Sequence, residues 1–404
     1  MKLTKYILLF LLITSAAYSQ NVKITDFDIP VSSARKFLLN GFYNWAQTTP
    51  ENDSLADNVS SSWRLDATYS QFYSSPSYAW NVGLTGSLSE AARGDTTRYQ
   101  YNFNSDISKY FSDSKGFFGN AALTSTYLRK REFGVDNRPT IEIFGGLGYG
   151  RRVNATSLAK AIRIDEDLKK GGITSKFMPK STMIAIAQII DREDEYRDKY
   201  KALYEAKIIE DITNEVLNSG VSNFNNMSAL GFMRIRDVLY GTNQFLNERA
   251  YGGDIRLGIS YELLTRNEKI ESPSPKLDIR GRYAYPVGIK HQFSAFLNAQ
   301  TPLDSNFFSL FTGNGGILYT YNLTNRISFN AGYTVTFNQI LSGSSDSLGI
   351  PIGLDKSAAD HNFSTGFNFY IENYITFNIN AGWTKLWRSD TQYFTNASVG
   401  FIVF

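Results

Sequence analysis

"NRISFNAGYTVTFN", residues 325–338, alternates along its length. Ile327, Phe329, Ala331, Tyr333, Val335 and Phe337 fall on one side, and Arg326, Ser328, Asn330, Thr334, Thr336 and Asn338 on the other. A period of two held this long marks a strand with one apolar and one polar face. "WRLDATYS" (63–70), "RYQYNFNSDIS" (98–108) and "DIRLGISYELL" (254–264) read the same way. Fourteen such segments stand near 33–48, 59–73, 77–90, 96–109, 115–131, 138–152, 252–266, 275–285, 289–301, 309–323, 325–339, 358–371, 373–388 and 391–404. An even number suits a closed antiparallel barrel with both termini on one side.

The links between segments sort by parity. If the first strand runs outward, the short links 74–77, 110–115, 286–288, 324–325 and 372–373 fall on one side. The longer links 49–58, 267–274 and 341–358 fall on the other, with the brief 388–391 as the exception. Outer-membrane barrels have short periplasmic turns and longer outer loops. A water-soluble sandwich has no reason to sort its loops in this way. The expected fold is an all-β transmembrane barrel of about fourteen antiparallel strands with an α-helical periplasmic insertion.

Composition agrees. The chain carries 25 Tyr and 29 Phe, yet its mean hydropathy is negative. Aromatics spread through a polar chain suit an aromatic girdle. No segment after the leader has eighteen consecutive apolar residues, so a transmembrane helix is not expected. The start, "MKLTKYILLFLLITSAAYSQ", has a basic beginning at Lys2 and Lys5, a short apolar stretch, and small residues Ala17 and Ser19 before a cut. That is the pattern of a secretory signal peptide over residues 1–19. Without its two lysines the formal charge of +3 falls to about +1, so no nucleic acid or other polyanion is implied as a partner. The absence of cysteine removes disulfides and thiolate chemistry.

The final "ASVGFIVF" ends in Phe404. Here the chain resembles Gram-negative outer-membrane β-barrel proteins, whose last strand commonly ends in Phe. The resemblance implies the outer membrane as location, its lipid as surroundings, and recognition of Phe404 by the barrel-insertion machinery during biogenesis. The style of the signal peptide and the richness in Asn, Tyr and Phe resemble proteins of the Bacteroidota.

Residues 155–250 change period. "SLAKAIRIDEDLKKGG" reads as a helix with Ser157 as N-cap and Gly171 at its end, and a second helix starts near Lys180. In "EYRDKYKALYEAKIIEDITNEVLNSG", Tyr196, Tyr200, Leu203, Tyr204, Ile208, Ile212 and Val216 follow a single helical stripe. "LGFMRIRDVLYG" (230–241) fits a fourth helix. By parity the insertion leaves on the periplasmic side. It forms either a compact subdomain or a plug in the lumen. The expected organisation is a periplasmic segment at 20–32, strands over 33–152, the insertion at 153–251, and strands over 252–404.

"IEIFGGLGYGRR" (141–152) has the look of a nucleotide loop, with a strand, a glycine cluster and a later helix. Its glycine spacing does not match the dinucleotide fingerprint, and the barrel frame assigns it to the sixth strand. Glu142, Phe144, Gly146, Gly148 and Gly150 then face the lumen. The three glycines leave bare backbone where a plug can pack or the wall can bend.

No catalytic site, cofactor or metal is expected. His291 and His361 fall on the lipid face at opposite ends of the barrel, too far apart for paired catalysis. The acidic run 191–198 reads as a solvated helix face, and the loop with Asp346 and Asp355 lacks calcium-ligand spacing. The lumenal charges are more informative. Arg152, Asp254, Arg256 and Arg282 gather near the periplasmic end, with Glu142, Glu262 and Asp278 farther out and Arg280 between. They form either a salt-bridged filling or a ring selecting solutes by charge. Two functions follow: passage of small polar or amphiphilic solutes, gated by the insertion, or a scaffold whose helices (155–250) dock an envelope partner.

Overall fold

The computed structural model describes residues 22–401 except 49–57, 91–97, 112–114, 129–137, 224–226, 242–246, 266–273, 306, 308–309, 341–357, 373–374 and 387–388. The expected signal peptide, the loop with Asp346 and Asp355, and Phe404 lie outside the described residues. The strands are β1 (Ser32–Thr48), β2 (Asn58–Ser74), β3 (Tyr78–Glu90), β4 (Arg98–Tyr110), β5 (Phe117–Leu128), β6 (Thr140–Asn154) and β7 (Ala250–Leu264). They continue as β8 (Lys276–Val287), β9 (His291–Pro302), β10 (Leu310–Thr324), β11 (Ile327–Ile340), β12 (Ala358–Glu372), β13 (Ile375–Lys385) and β14 (Thr391–Phe401). They form one antiparallel fourteen-stranded sheet in chain order, each strand paired with the next. The fold is all-β, of the transmembrane-barrel class. Among the described residues β14 and β1 share no ladder.

Register fixes which residues share a face. Phe329 lies opposite Phe367 and Tyr333 opposite Phe363, while Ser328 lies opposite Asn368. The apolar face is the exposed one. Leu147 is 63%, Ile317 62% and Tyr393 79% exposed, whereas Asp254, Asp278, Asn322 and Ser328 are buried. This inverts the arrangement of a water-soluble protein. An apolar exterior over a ladder in which each strand pairs with the next is the arrangement hydrocarbon tolerates, because the amides between neighbouring strands bond one another.

Aromatic rings cluster on that exterior. Tyr99 stacks on Tyr127 at 5.4 Å, and Phe363 on Trp383 at 6.3 Å. His291 lies parallel to Tyr321 at 4.3 Å and its Nδ1 is 2.8 Å from the Tyr319 hydroxyl. His361 Nδ1 is 2.7 Å from the Tyr333 hydroxyl. Each histidine is absorbed into its own aromatic group.

The short links 75–77, 288–290 and 325–326 share one end of the sheet, here called the turn end. From it also leaves the long connection between β6 and β7. It holds α1 (Thr156–Lys170), α2 (Lys180–Asp191), α3 (Glu193–Tyr200), α4 (Tyr204–Asn218) and α5 (Ala229–Tyr240). No helix among the described residues is long and apolar enough to cross a membrane.

The helices close on a core of their own. Leu158, Ile162, Ile164 and Leu168 of α1, Ile186 and Ala187 of α2, Ile208, Ile212 and Val216 of α4, and Ile235 of α5 are buried together. Val22, Ile24 and Phe27 join this core from the N-terminal segment, Val153 and Tyr251 from the β6–β7 root, and Ile289 from the β8–β9 link. The insertion is therefore held at the turn end by apolar contacts from three separate parts of the chain. From its attachment at β6–β7, α3 reaches β1, half a sheet away in ladder order, where Arg35 Nε is 3.5 Å from an Asp198 carboxylate oxygen.

Two local expectations change. Ser157 is not the cap of α1. The helix starts at Thr156, whose N–H and hydroxyl both donate to Asn154 Oδ1, and Ser157 donates instead to Asp191. The long stripe from Tyr196 to Val216 is not one helix. It breaks at Lys201, which has a φ of 51°, and a single 3-10 turn leads into α4. The break folds α3 back so that Tyr196 donates to Asp211 and the Arg197 guanidinium lies 4.6 Å from the Tyr204 ring. Those contacts offset the strain of a non-glycine residue in this region. Glu193 and Arg197, one turn apart on α3, pair at 2.7 Å.

Candidate functional site

The polar face of β4–β9 carries a connected set of charges and rings. Pairing in register puts Phe118 opposite Gly148, Gly148 opposite Arg256, and Arg256 opposite Arg280. One rung toward the loop end, Asn120, Gly146, Gly258, Asp278 and Gln300 stand in line. The strands thus deliver residues distant in sequence to one strip.

Two arginines directly opposite repel unless a carboxylate intervenes. Here each has a carboxylate of its own: Arg280 is held by Asp278, and Asp254 accepts from Arg256 Nε at 3.2 Å and from Arg282 Nη2 at 2.8 Å. Asp278 binds Arg280 through both oxygens, at 2.8 and 2.6 Å, and accepts from Gln300 at 2.8 Å. Asp106, held by Asn120 at 2.8 Å, lies 3.7 Å from Arg256. The exposures differ sharply. The Asp254 and Asp278 side chains are 3% and 1% exposed, but Arg280 and Arg282 are 39% and 48% exposed. The carboxylates stand behind the guanidinium groups.

The glycines explain how the rings fit. A Cβ on Gly148 would come within 2.3 Å of the Phe118 ring, and one on Gly258 within 2.6 Å of the Phe144 ring. Near the same rings lie guanidinium carbons, Arg256 at 5.5 Å from Phe118 and Arg280 at 4.9 Å from Phe144. Each ring thus has bare backbone and a guanidinium as neighbours, and cation–π attraction adds to the ion pairs. Gly146 faces the β7 backbone, where a Cβ would meet Leu257 O at 2.5 Å. Gly150 has a φ of 89°, a conformation that favours glycine. The closest neighbours of these glycines are the wall's own rings and backbone rather than the helices.

Of the residues singled out in the sequence, Asp254, Arg256, Asp278, Arg280 and Arg282 come together. Glu142 and Glu262 face each other in register farther toward the loop end. Arg152 sits apart at the rim, donating to Glu248 at 2.6 Å. Its neighbour Arg151 donates to the carbonyls of Pro76 and Ser75, at 2.6 and 3.0 Å, and lies over the Tyr110 ring. Sequence reasoning missed Asp106, Phe118, Asn120 and Gln300. Alternation alone puts them on the polar face, and only cross-strand register brings them to this strip.

Beyond the strip toward the loop end, the same face borders an open cavity of about 640 Å3, lined by residues including Arg64, Asp66, Thr85, Gln100, Asn102 and Thr126. At the turn end stands Arg249, fully buried. Its guanidinium donates to the carbonyls of Ile289 (2.8 Å), Lys290 (2.9 Å) and Glu248 (3.0 Å), and less closely to Thr320 Oγ1 (3.3 Å). Asn247 beside it donates to Asn322 of β10 at 3.1 Å. Among the described residues no cluster of His, Cys, Asp or Glu is arranged to hold a metal ion.

No protein-family model matches this chain, and no curated protein matches it. Among solved structures it is similar to Pseudomonas aeruginosa OpdQ, at 8% identity over 91% of this chain and 96% of that one, with a TM-score of 0.27. It is also similar to a mutant of the Rh. blastica porin, at 8% identity over 91% and 99% of the two chains, with a TM-score of 0.24. These scores are too low to add to what the sheet itself shows.

Proposed function

We propose that this chain is a porin-like barrel of the outer membrane that passes small polar or amphiphilic solutes along its inner face. In this reading the exposed apolar face meets outer-membrane lipid, the turn end faces the periplasm, and the barrel-insertion machinery recognises the C-terminal Phe404. The helices set across the turn end act as its gate. The observation that carries the reading is the sheltered polar face, with its charged strip and the open cavity beyond it. A packed structural core would fill such space with apolar side chains.

Planar-bilayer recording of the purified protein tests this. Discrete conductance steps are expected, larger when residues 156–240 are replaced by a short linker. A second reading, a scaffold docking an envelope partner, is favoured by the exposed Leu230, Phe232 and Met233 on α5. It predicts no conductance from either form, and a periplasmic protein that co-purifies only with the full chain.

A further inference from the structure

We propose that Arg280 and Arg282 form a carboxylate-binding subsite on the channel wall, suited to a small dicarboxylate. The proposal rests on the reading of the chain as a solute channel and names a solute class for it. Both side chains project from one face of β8, two residues apart, which sets them about 7 Å apart along the strand. Each is held from behind by a buried aspartate, Asp278 for Arg280 and Asp254 for Arg282.

Those aspartates have little capacity left for a solute. Asp278 accepts three hydrogen bonds, two from Arg280 and one from Gln300. Asp254 is shared between Arg256 and Arg282. A guanidinium has five N–H donors in a planar fork, and each aspartate engages only part of it. Arg280 is further fixed with its guanidinium over the Phe144 ring. The wall therefore presents two oriented, part-exposed donor edges in front of carboxylates that are almost wholly buried. Ordering has been completed before any solute arrives, so a bound carboxylate loses less free energy to side-chain immobilisation. Charge-assisted bonds to carboxylate are the strong class. Glu142 and Glu262, opposite each other toward the loop end, bound the subsite on that side.

The test uses full-length protein in detergent with succinate as probe and uncharged succinamide as control, read by titration calorimetry. Saturable succinate binding is expected, with succinamide binding at least tenfold weaker. Arg280→Gln with Arg282→Gln should weaken succinate about tenfold or more. That variant leaves Asp278 without its arginine, so Asp278→Asn with Arg280→Gln, which removes both charges, serves as the second probe. It should weaken succinate too, by less than the double arginine variant because Arg282 remains, while keeping the mobility shift of the folded barrel on electrophoresis. Equal affinity for succinate and succinamide, or undiminished succinate binding in the charge-paired variant, overturns the subsite. The channel reading fails separately. Succinate binding without conductance would remove the channel and keep the subsite, whereas conductance with no succinate binding would remove the subsite alone.

Discussion

The ring of Phe118 fills the place that a side chain at Gly148 would need, since a Cβ there would stand 2.3 Å from the ring's Cζ. A third residue depends on this relationship. With its ring against Gly148, Phe118 also neighbours Arg256, whose guanidinium carbon lies 5.5 Å from the ring.

Gly148→Ala should therefore destabilise the sheet by about 1–3 kcal/mol, the usual cost of overpacking, and loosen the Arg256–Asp254 contact. Gly145→Ala is the control. It lies on the same strand, and a Cβ there has nothing within 4 Å. Heat denaturation in detergent should separate the two, with Gly145→Ala indistinguishable from the parent.

Arg249 pins the insertion to the sheet. Burial, and then the nearby charge of Arg163, lowers its pKa to about 10, so it is still charged at neutral pH. Arg249→Met leaves the Ile289 and Lys290 carbonyls without their donor and should cost about 3 kcal/mol. Arg249→Lys should recover only a fraction, because an ammonium cannot reproduce the planar fork. Amide hydrogen exchange is the measurement, and it should accelerate across α1–α5 while the strands keep their protection.

Phe27, fully buried among the helices, anchors the N-terminal segment, and its carbonyl accepts from the Tyr251 hydroxyl at 2.6 Å. Phe27→Ala should remove about 3–4 kcal/mol of docking. Limited proteolysis should then cleave within residues 22–31 before any strand is cut.

The helices should also respond to acid. Asp165 is buried in α1, and desolvation raises its carboxyl to about 6, although the Met178 N–H donates to it at 2.9 Å. A pKa raised on folding means that the folded helices bind the proton more tightly than the unfolded chain. The group's stabilising effect is complete below pH 4 and lost as pH rises through about 6. At 1.36 kcal/mol per unit the window is worth on the order of 3 kcal/mol. Asp165→Asn should flatten it and stabilise the insertion at pH 7, as followed by circular dichroism melts at pH 4 and 7.

How much of this was legible beforehand depends on the range of the physics involved. Alternation is a nearest-neighbour property, so the strands could be read directly. β4 was expected at 96–109 and runs Arg98–Tyr110, and β11 was expected at 325–339 and runs Ile327–Ile340. Which polar-face residues meet is a matter of register between strands. Asp254 and Arg282 face each other across a single loop and were anticipated. Asp106 meets Arg256 across three ladders and was not. The break at Lys201 was hidden for a related reason. The apolar stripe continues through it unchanged, and only the packing of α3 against α4 and β1 shows why the chain must turn. At Arg152 the expectation followed strict alternation up to the root of β6, where Gly150 and, on β7, Gly252 take positive φ and the local pattern is set by the rim instead.

The bond from Tyr251 to Phe27 joins residues 224 positions apart. Such a closure is slow and comes late, because chain entropy must be spent before the contact forms. The segment around Phe27 is made well before Tyr251 and must therefore wait for it before it can settle. A chaperone that shields the leading segment during that interval would be protecting the piece on which the seating of the whole helical cluster depends.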